Sequence, residues 1–371
     1  AAALESFQTA LRIAREVGDR VGEGVRLNNI GFVYEKQRQY AEALEYYQEA
    51  LGIRQEVGDR AGEGATLNNI GIVYEAQGQY AEALEQYEKA IDVFETLRSS
   101  AGSETARSAF IAQYSNKYDR TVTLSIQEGL PEKAFLIAER GRSRAFLDSL
   151  ATGYVELGDS EAAALYNHEQ EAYAVRQNAH DVLAGAKAQN PPDEKLIADL
   201  ESQLTLAEAD YQAALDAITA RGDQLSQLVP HRNTVLDVKQ AQVLLDDKTT
   251  LLSFWVTEEQ TFVFVLTQNS LEVVALNISR TDLYNQIEAF RTFANTNASY
   301  PDTSMRLYKS IIEPLKPYLK NSHLIIIPHG ELHYLPFATL SDGSRYLLDD
   351  YSITYLPSVS AWPFIKENAG N

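Results

Sequence analysis

Two histidines beside an apolar run are the side chains in this sequence best suited to acid–base chemistry. His329 and His333 follow the segment Leu324–Pro328, and an imidazole titrates close to neutral pH. Nucleophilic catalysis also needs an activated nucleophile, but the chain has no cysteine and no Gly-x-Ser-x-Gly turn. It also has neither a phosphate loop nor a His-Glu-x-x-His motif. We therefore predict no catalytic residue, metal ligand or cofactor, and interpret both histidines as structural.

A second candidate for binding chemistry is a pair of asparagines that recur in a repeat. Residues 1–40 and 41–80 align without a gap, and a third copy begins at Ala81. Spacings of three, four and seven between apolar and small residues predict two helices per unit. Helix A is predicted at 22–38 and 62–78, and helix B at 41–57 and 81–98. Asn28 and Asn68 occupy equivalent positions in helix A, where a carboxamide can both donate and accept.

The pattern Leu-x-x-Ile-Gly-x-x-Tyr followed by Ala-x-x-x-Tyr-x-x-Ala resembles the tetratricopeptide repeat in a 40-residue form, over residues 1–98. The resemblance implies a right-handed superhelix whose concave face, lined by helix A, binds a protein or peptide ligand. The alternative is that the two asparagines are surface residues copied by duplication. Matched position by position, the groove-facing residues are expected to be Val25, Asn28, Phe32, Glu35, Ala65, Asn68, Ile72 and Glu75.

Residues 103–150 indicate a degenerate further unit, with a helix from Ser103 and another beginning near Pro131. Arg140, Arg142 and Arg144 form a basic cluster in the second helix. Two interpretations stay open, salt bridges to neighbouring helices and a docking patch for an acidic partner. The following segments, 160–188 and 193–227, predict a long antiparallel helical hairpin, broken by Pro191 and Pro192. The polar composition of this hairpin suggests that it projects from the body or packs along the repeats.

After residue 233 the apolar period changes from 3.6 to 2, which predicts an α/β segment. Strands are expected at 249–256, 260–267, 271–276, 323–328, 332–337 and 352–355, and helices at 281–296 and 302–320. The run from Leu324 to Leu340, together with Tyr355-Leu-Pro-Ser-Val-Ser, resembles the first half of a CHAT domain. The segment Glu139-Arg-Gly-Arg-Ser-Arg-Ala-Phe-Leu is similar to the family's linker between repeats and CHAT domain.

The CHAT resemblance implies a caspase-like fold whose chemistry depends on a Cys/His dyad. In the family both members of the dyad follow the Leu-Pro-Ser stretch, so this chain, which ends at Asn371, is expected to be a fragment truncated before them. No catalytic residue is therefore carried over. A His and a later Cys beyond residue 371, each after an apolar strand, would favour a peptidase over a pseudo-enzyme.

Composition limits the partners that the chain can be expected to bind. The formal net charge is −20, with 52 acidic and 32 basic residues. This balance argues against duplex nucleic acid and anionic membrane surfaces, since both need clustered cations. No apolar run approaches the length of a membrane span, and no signal peptide is visible. We predict a cytoplasmic protein. The resemblance also implies a bacterial protein, because CHAT domains usually follow tetratricopeptide repeats in bacteria.

The sequence thus predicts a multidomain protein: an all-α repeat superhelix with a helical hairpin, then a partial α/β caspase-like domain. The expected limits are 1–150, 151–230 and 231–371. The function expected is protein or peptide binding by the repeats, in a parent protein that is a regulated cysteine peptidase. The alternative is a non-catalytic scaffold or adaptor with a pseudo-peptidase CHAT domain. For the chain as given, we expect no enzymatic turnover.

Overall fold

A computed structural model describes residues 2–99, 104–156, 160–187, 193–221, 235–296, 300–363 and 365. The chain divides by packing into two compact units. The helical unit comprises Ala1–Lys117 and Leu147–Asn233, and the α/β unit comprises Tyr118–Phe146 and Thr234–Asn371. The expected domain limits at residues 150 and 230 stay a prediction, and the packing divides the chain at other places.

The repeats form pairs of helices close to the predicted bounds. Each unit-joining segment begins with a left-handed glycine, Gly18 at φ 73° and Gly58 at φ 70°. An aspartate then caps the next helix, since Asp19 and Asp59 accept hydrogen bonds from backbone N–H groups three residues later. Helix B thus ends just before this glycine. The helices are α1 (Ala2–Val17), α2 (Arg20–Lys36), α3 (Tyr40–Glu56), α4 (Arg60–Ala76) and α5 (Tyr80–Ser99).

Glycine and tyrosine together set the distance between helices A and B. A Cβ atom on Gly31 would lie 2.8 Å from the ring of Tyr47, and one on Gly71 would lie 2.5 Å from the ring of Tyr87. Both tyrosines are buried. Only glycine leaves room for the ring, so the two helices can approach closely at this point.

The predicted hairpin is also present, in the same unit as the repeats. Asp193 caps the second helix, because its Oδ1 accepts from the N–H groups of Lys195 and Leu196 at 3.1 Å. The hydroxyl of Tyr173 donates to the carbonyl of Thr96 at 3.1 Å, so the hairpin packs along the repeats. The predicted breakers Pro191 and Pro192 lie outside the described residues. The two helices are α8 (Ser160–Lys187) and α9 (Glu194–Arg221), preceded in the chain by α6 (Glu104–Gln127) and α7 (Pro131–Glu156).

The α/β unit is built on a mixed sheet with the strand order β3-β2-β1-β4-β5. The first three strands form an antiparallel meander, whereas β4 and β5 add in parallel beyond β1. The strands are β1 (Thr249–Val256), β2 (Thr261–Thr267), β3 (Ser270–Leu276), β4 (His323–Ile327) and β5 (Ser352–Tyr355). The helices are α10 (Val238–Leu244), α11 (Arg280–Thr296), α12 (Tyr300–Ile311) and α13 (Leu347–Asp350).

Every residue of the central strand β1 is buried. Phe254 belongs to the core between the sheet and α11 and α12. On the opposite face, Phe264 of β2 packs edge-on against Phe135 of α7, with ring centroids 5.7 Å apart. Helices thus cover both faces of the sheet, which explains the continuous apolar sequence of β1.

The predicted strand at 332–337 is wrong. Two 3₁₀ helices, Gly330–Tyr334 and Phe337–Thr339, occupy this region. Gly330 has φ 57°, which turns the chain out of the extended path of β4, and Pro336 has no N–H for a strand ladder. The apolar residues here reach the core from turns. They do not lie on alternate sides of a strand. The predicted helix at 302–320 likewise ends at Ile311 and continues as a 3₁₀ helix, Glu313–Tyr318, which contains two prolines.

Candidate functional site

The predicted groove-facing residues of α2 differ strongly in exposure. Phe32 is 47% exposed, with the Lys36 ammonium 4.7 Å from its ring centroid. Val25 is half-buried. An exposed aromatic ring beside a cation is the type of anchor that protein ligands contact.

The two predicted groove glutamates take part in packing within their own repeats. Glu35 is buried and accepts from the Tyr47 hydroxyl at 2.9 Å, and Glu75 accepts from the Tyr87 hydroxyl at 2.7 Å. Burial, followed by the charge of Glu35, raises the pKa of Tyr47 well above its usual value. Both glutamates therefore join helix A to helix B, which their position in the sequence pattern did not reveal.

The two predicted groove asparagines are not equivalent in the structure. The Oδ1 atom of Asn28 accepts from the Thr66 hydroxyl at 3.3 Å and from the Asn69 carboxamide at 3.2 Å. Asn28 thereby joins α2 to α4. Asn68 is only 5% exposed.

The other two predicted groove residues, both on α4, are apolar. Ala65 is exposed and Ile72 is half-buried. Of the four apolar residues predicted for this face, Phe32 is the largest exposed side chain.

His329 has a structural role at the carboxyl end of the sheet. Its Nδ1 accepts from the N–H of Val256 at 3.0 Å, and its ring stacks on Trp255 with centroids 4.1 Å apart. Burial, together with the nearby charges of Arg142 and Arg280, lowers the pKa of His329 well below its usual value. The acceptor nitrogen of this imidazole is already occupied by the backbone. His333 lies exposed on the following 3₁₀ helix.

Arg142 fills a neighbouring position at the same end of the sheet. The last pair between β1 and β4 joins Ser253 to Ile327, and beyond it the Arg142 Nη2 donates to the Phe254 carbonyl at 2.9 Å. The guanidinium also lies 5.5 Å from the Trp255 ring centroid. Arg142 and His329 thus bind backbone groups of β1 that β4 is too short to reach. In the predicted basic cluster, Arg142 is internal, and the side chain of Arg144 lies outside the described residues.

Glu139 links α7 to the segment that follows β5. Its Oε2 accepts from the N–H of Val359 at 3.0 Å and from the N–H and hydroxyl of Ser360 at 3.4 Å. Its Oε1 lies 3.3 Å from Nε of Arg142. Burial raises the pKa of Glu139, although Arg142 opposes this. The sequence named Arg142 only as part of a basic cluster and Glu139 only within the linker segment, so it did not reveal this contact.

A third polar contact lies between α6 and the β1–β2 turn. The Arg280 Nη2 lies 3.2 Å from the Asp119 carboxylate and donates to the Val256 carbonyl at 3.1 Å. Its Nη1 donates to Glu258 at 2.6 Å. Burial raises the pKa of Asp119 to about 6, and Arg280 only partly offsets that burial. The sequence offered no sign of this contact.

Within the described ranges, no group of three His, Cys, Asp or Glu side chains is placed to hold a metal ion. None of the helices that the structure describes is long and apolar enough to cross a membrane.

Comparison with known families gives one match in the first part of the chain and another in the last part. The tetratricopeptide-repeat family matches residues 1–56 and 25–96, and the CHAT-domain family matches residues 301–370. The two predicted resemblances are thereby confirmed, as is the fold class of an all-α region followed by an α/β region. A comparison with curated proteins gives no match.

Proposed function

We propose that this chain, which carries tetratricopeptide repeats and a CHAT domain, binds a protein or peptide segment on the exposed face of α2 and α4. The observation that carries the proposal is Phe32, an aromatic side chain left 47% exposed on a repeat face. Tetratricopeptide repeats generally mediate protein binding, and the acidic charge of −20 favours a ligand without strong negative charge.

The exposed contacts of the proposed face are Phe32 and Ala65, flanked by Val25 and Ile72. The side chains of Glu35, Glu75 and Asn28 already bind other repeat residues. They therefore stabilise the helices that carry the proposed face. Asn68 is buried and would contribute only by a shift of its side chain. The predicted direct contact of Asn28 and Asn68 with a ligand backbone is therefore the weaker part of the proposal.

The test is to select peptides from a displayed library against the chain and to measure their affinity by calorimetry. Phe32→Ala is expected to weaken a selected peptide by about 1–3 kcal/mol, the cost of losing a central aromatic anchor. Ile13→Ala is the matched control, since Ile13 is 48% exposed on α1. Equal affinities of the two variants would contradict the proposed face.

The second part of the proposal is that peptide binding controls the CHAT domain of a parent cysteine peptidase in the bacterial cytoplasm. What supports it is α7, whose Glu139 and Arg142 hold the carboxyl end of the sheet. A selected peptide should then change the hydrogen exchange of Val359 and Ser360. Unchanged exchange at saturating peptide would favour the alternative of a scaffold whose CHAT domain is a pseudo-peptidase.

A further inference from the structure

A pocket of about 400 Å³ lies in the helical unit between the α3–α4 junction and α8. The repeat side contributes Glu56, Arg60 and Glu63, and α8 contributes Arg176, His180 and Lys187. None of the residues of the proposed peptide face lines it. Its volume falls at the lower end of the range of small-ligand sites, roughly 300–1,000 Å³.

Two tyrosines of the hairpin flank the guanidinium of Arg176 at the pocket. Its guanidinium carbon lies 4.8 Å from the ring centroid of Tyr211 and 5.5 Å from that of Tyr173. The two rings meet edge-on, with centroids 5.4 Å apart. An arginine fixed between aromatic rings has lost its rotamer freedom before any ligand arrives.

Arg176 also lacks a counter-ion among the described residues. Its Nε–H is buried without a hydrogen-bond acceptor, and no described carboxylate forms an ion pair with it. Arg176 is half-buried, and although the chain has 52 acidic residues, none that the structure describes pairs with it. An anion would supply the charge partner that the described residues do not provide.

Most of the other charges that line the pocket already have partners. Glu63 is bound by Arg60 at 2.7 Å and by Gln55 at 2.9 Å. Glu56 pairs with Arg20, and Lys187 pairs with Glu201. The charge left uncompensated in the pocket is therefore the positive charge of Arg176.

We propose that this pocket binds a carboxylate, with Arg176 as its principal contact. A planar guanidinium matches the two oxygens of a carboxylate, and a charge-assisted hydrogen bond is stronger than a neutral one. Leu183 adds an apolar wall for the carbon chain that carries the carboxylate. Two sources of a carboxylate fit this chemistry, a glutamate side chain of a peptide and a small free dicarboxylate.

The test uses the full chain with 15N-labelled arginine, in which the Arg176 Nε–H resonance is identified by its loss in Arg176→Lys. Acetyl-Glu-Glu-Glu-amide, succinate and inorganic phosphate are titrated separately. We expect a saturable shift of the Arg176 resonance with a carboxylate probe. A response to the peptide alone identifies a peptide ligand, and a response to succinate alone identifies a small dicarboxylate.

Arg176→Gln is expected to weaken the responding probe at least tenfold, measured by calorimetry. The matched control is Arg12→Gln, which makes the same change in charge on an exposed helix and should leave affinity unchanged. If Arg176→Gln does not fold, Lys187→Gln on the pocket wall should weaken binding several-fold.

No shift of Arg176 with either carboxylate probe, or a response to phosphate alone, would overturn the proposal. So would equal weakening by the Arg176 and Arg12 variants. A failure of the Phe32 experiment would leave this result unaffected, because the two sites share no residue.

Discussion

In the repeats, Glu35 accepts a hydrogen bond from Tyr47, 12 residues later in the chain. In the α/β unit, Glu139 accepts from Val359, 220 residues later. Both carboxylates are buried, yet the first partner belongs to the same repeat and the second to a distant segment. A repeat can therefore satisfy its polar groups locally and be copied, whereas the α/β unit depends on segments that meet only when the whole unit has folded.

Three arginines show the same contrast. Arg54 donates to the carbonyl of Gly62 and the hydroxyl of Thr66, 8 and 12 residues along the chain. Arg142 reaches Phe254 across 112 residues, and Arg280 reaches Asp119 across 161 residues. Damage in the repeats should therefore stay local, while damage to the distant contacts should weaken the whole α/β unit.

The largest effect is expected for Arg142→Ala, which leaves Glu139 buried without its cation. Removing one member of a buried ion pair costs about 3–5 kcal/mol of unfolding free energy. Both tryptophans of the chain, Trp255 and Trp362, lie in the α/β unit, so their fluorescence during urea unfolding reports this loss. Arg291→Ala, at an exposed pair in the same unit, should change stability by less than about 0.5 kcal/mol. A similarly small change for Arg142→Ala would show that the contacts of Arg142 with Glu139 and Phe254 do not stabilise the α/β unit.

The next effect is a pH dependence at Asp119. Its pKa is raised to about 6 in the fold, so its contribution to stability is complete below its unfolded pKa of about 4 and is lost as pH rises through 6. The advantage of wild type over Asp119→Asn should therefore fall by about 2–3 kcal/mol between pH 4 and pH 7.5. Unfolding free energies at several pH values measure this difference. A difference that is constant over the range would show that Asp119 has an ordinary pKa.

A smaller and local effect is expected for Gly71→Leu. A Cβ at this position meets the Tyr87 ring at 2.5 Å, and such overpacking costs about 1–3 kcal/mol. Gly52→Leu is the matched control, because nothing lies within 4 Å of a Cβ there. Far-UV circular dichroism should show a lower melting midpoint for the Gly71 variant alone. If the unfolding transition of the α/β unit were also lost, the distinction between local and distant contacts would be contradicted.

The smallest effect is expected at the turn between helices A and B. Arg38 has φ 60°, whereas Gly78 has φ 75° at the equivalent position. A left-handed conformation costs a non-glycine residue about 1–2 kcal/mol, so Arg38→Gly should stabilise the repeats by about 0.5–1 kcal/mol after the entropy of the unfolded glycine is subtracted. Gly78→Arg should have the opposite sign. Thermal melts that shift in the same direction for both variants would contradict this reading of the turn.

The sequence predicted most of the helices and strands to within a few residues. The repeat helices, the hairpin and β1 to β5 follow from the spacing of apolar residues and from capping residues such as Asp193, which act over a few positions. It was wrong at 332–337, where alternating apolar residues suggested a strand. Those residues are buried by turns against a core that the local pattern does not describe.

The sequence by itself determined the two family resemblances and most of the segments that form helices or strands, because periodicity, glycine turns and repeat motifs are local properties. Only the tertiary structure decided what the polar residues do. Asn28 and Glu35 looked free to bind a ligand but bind neighbouring helices. Glu139 and Arg142 looked like helix-surface charges but hold the end of the sheet. The reason is that a buried polar group must find a partner, and the partner is chosen by the packing of distant segments.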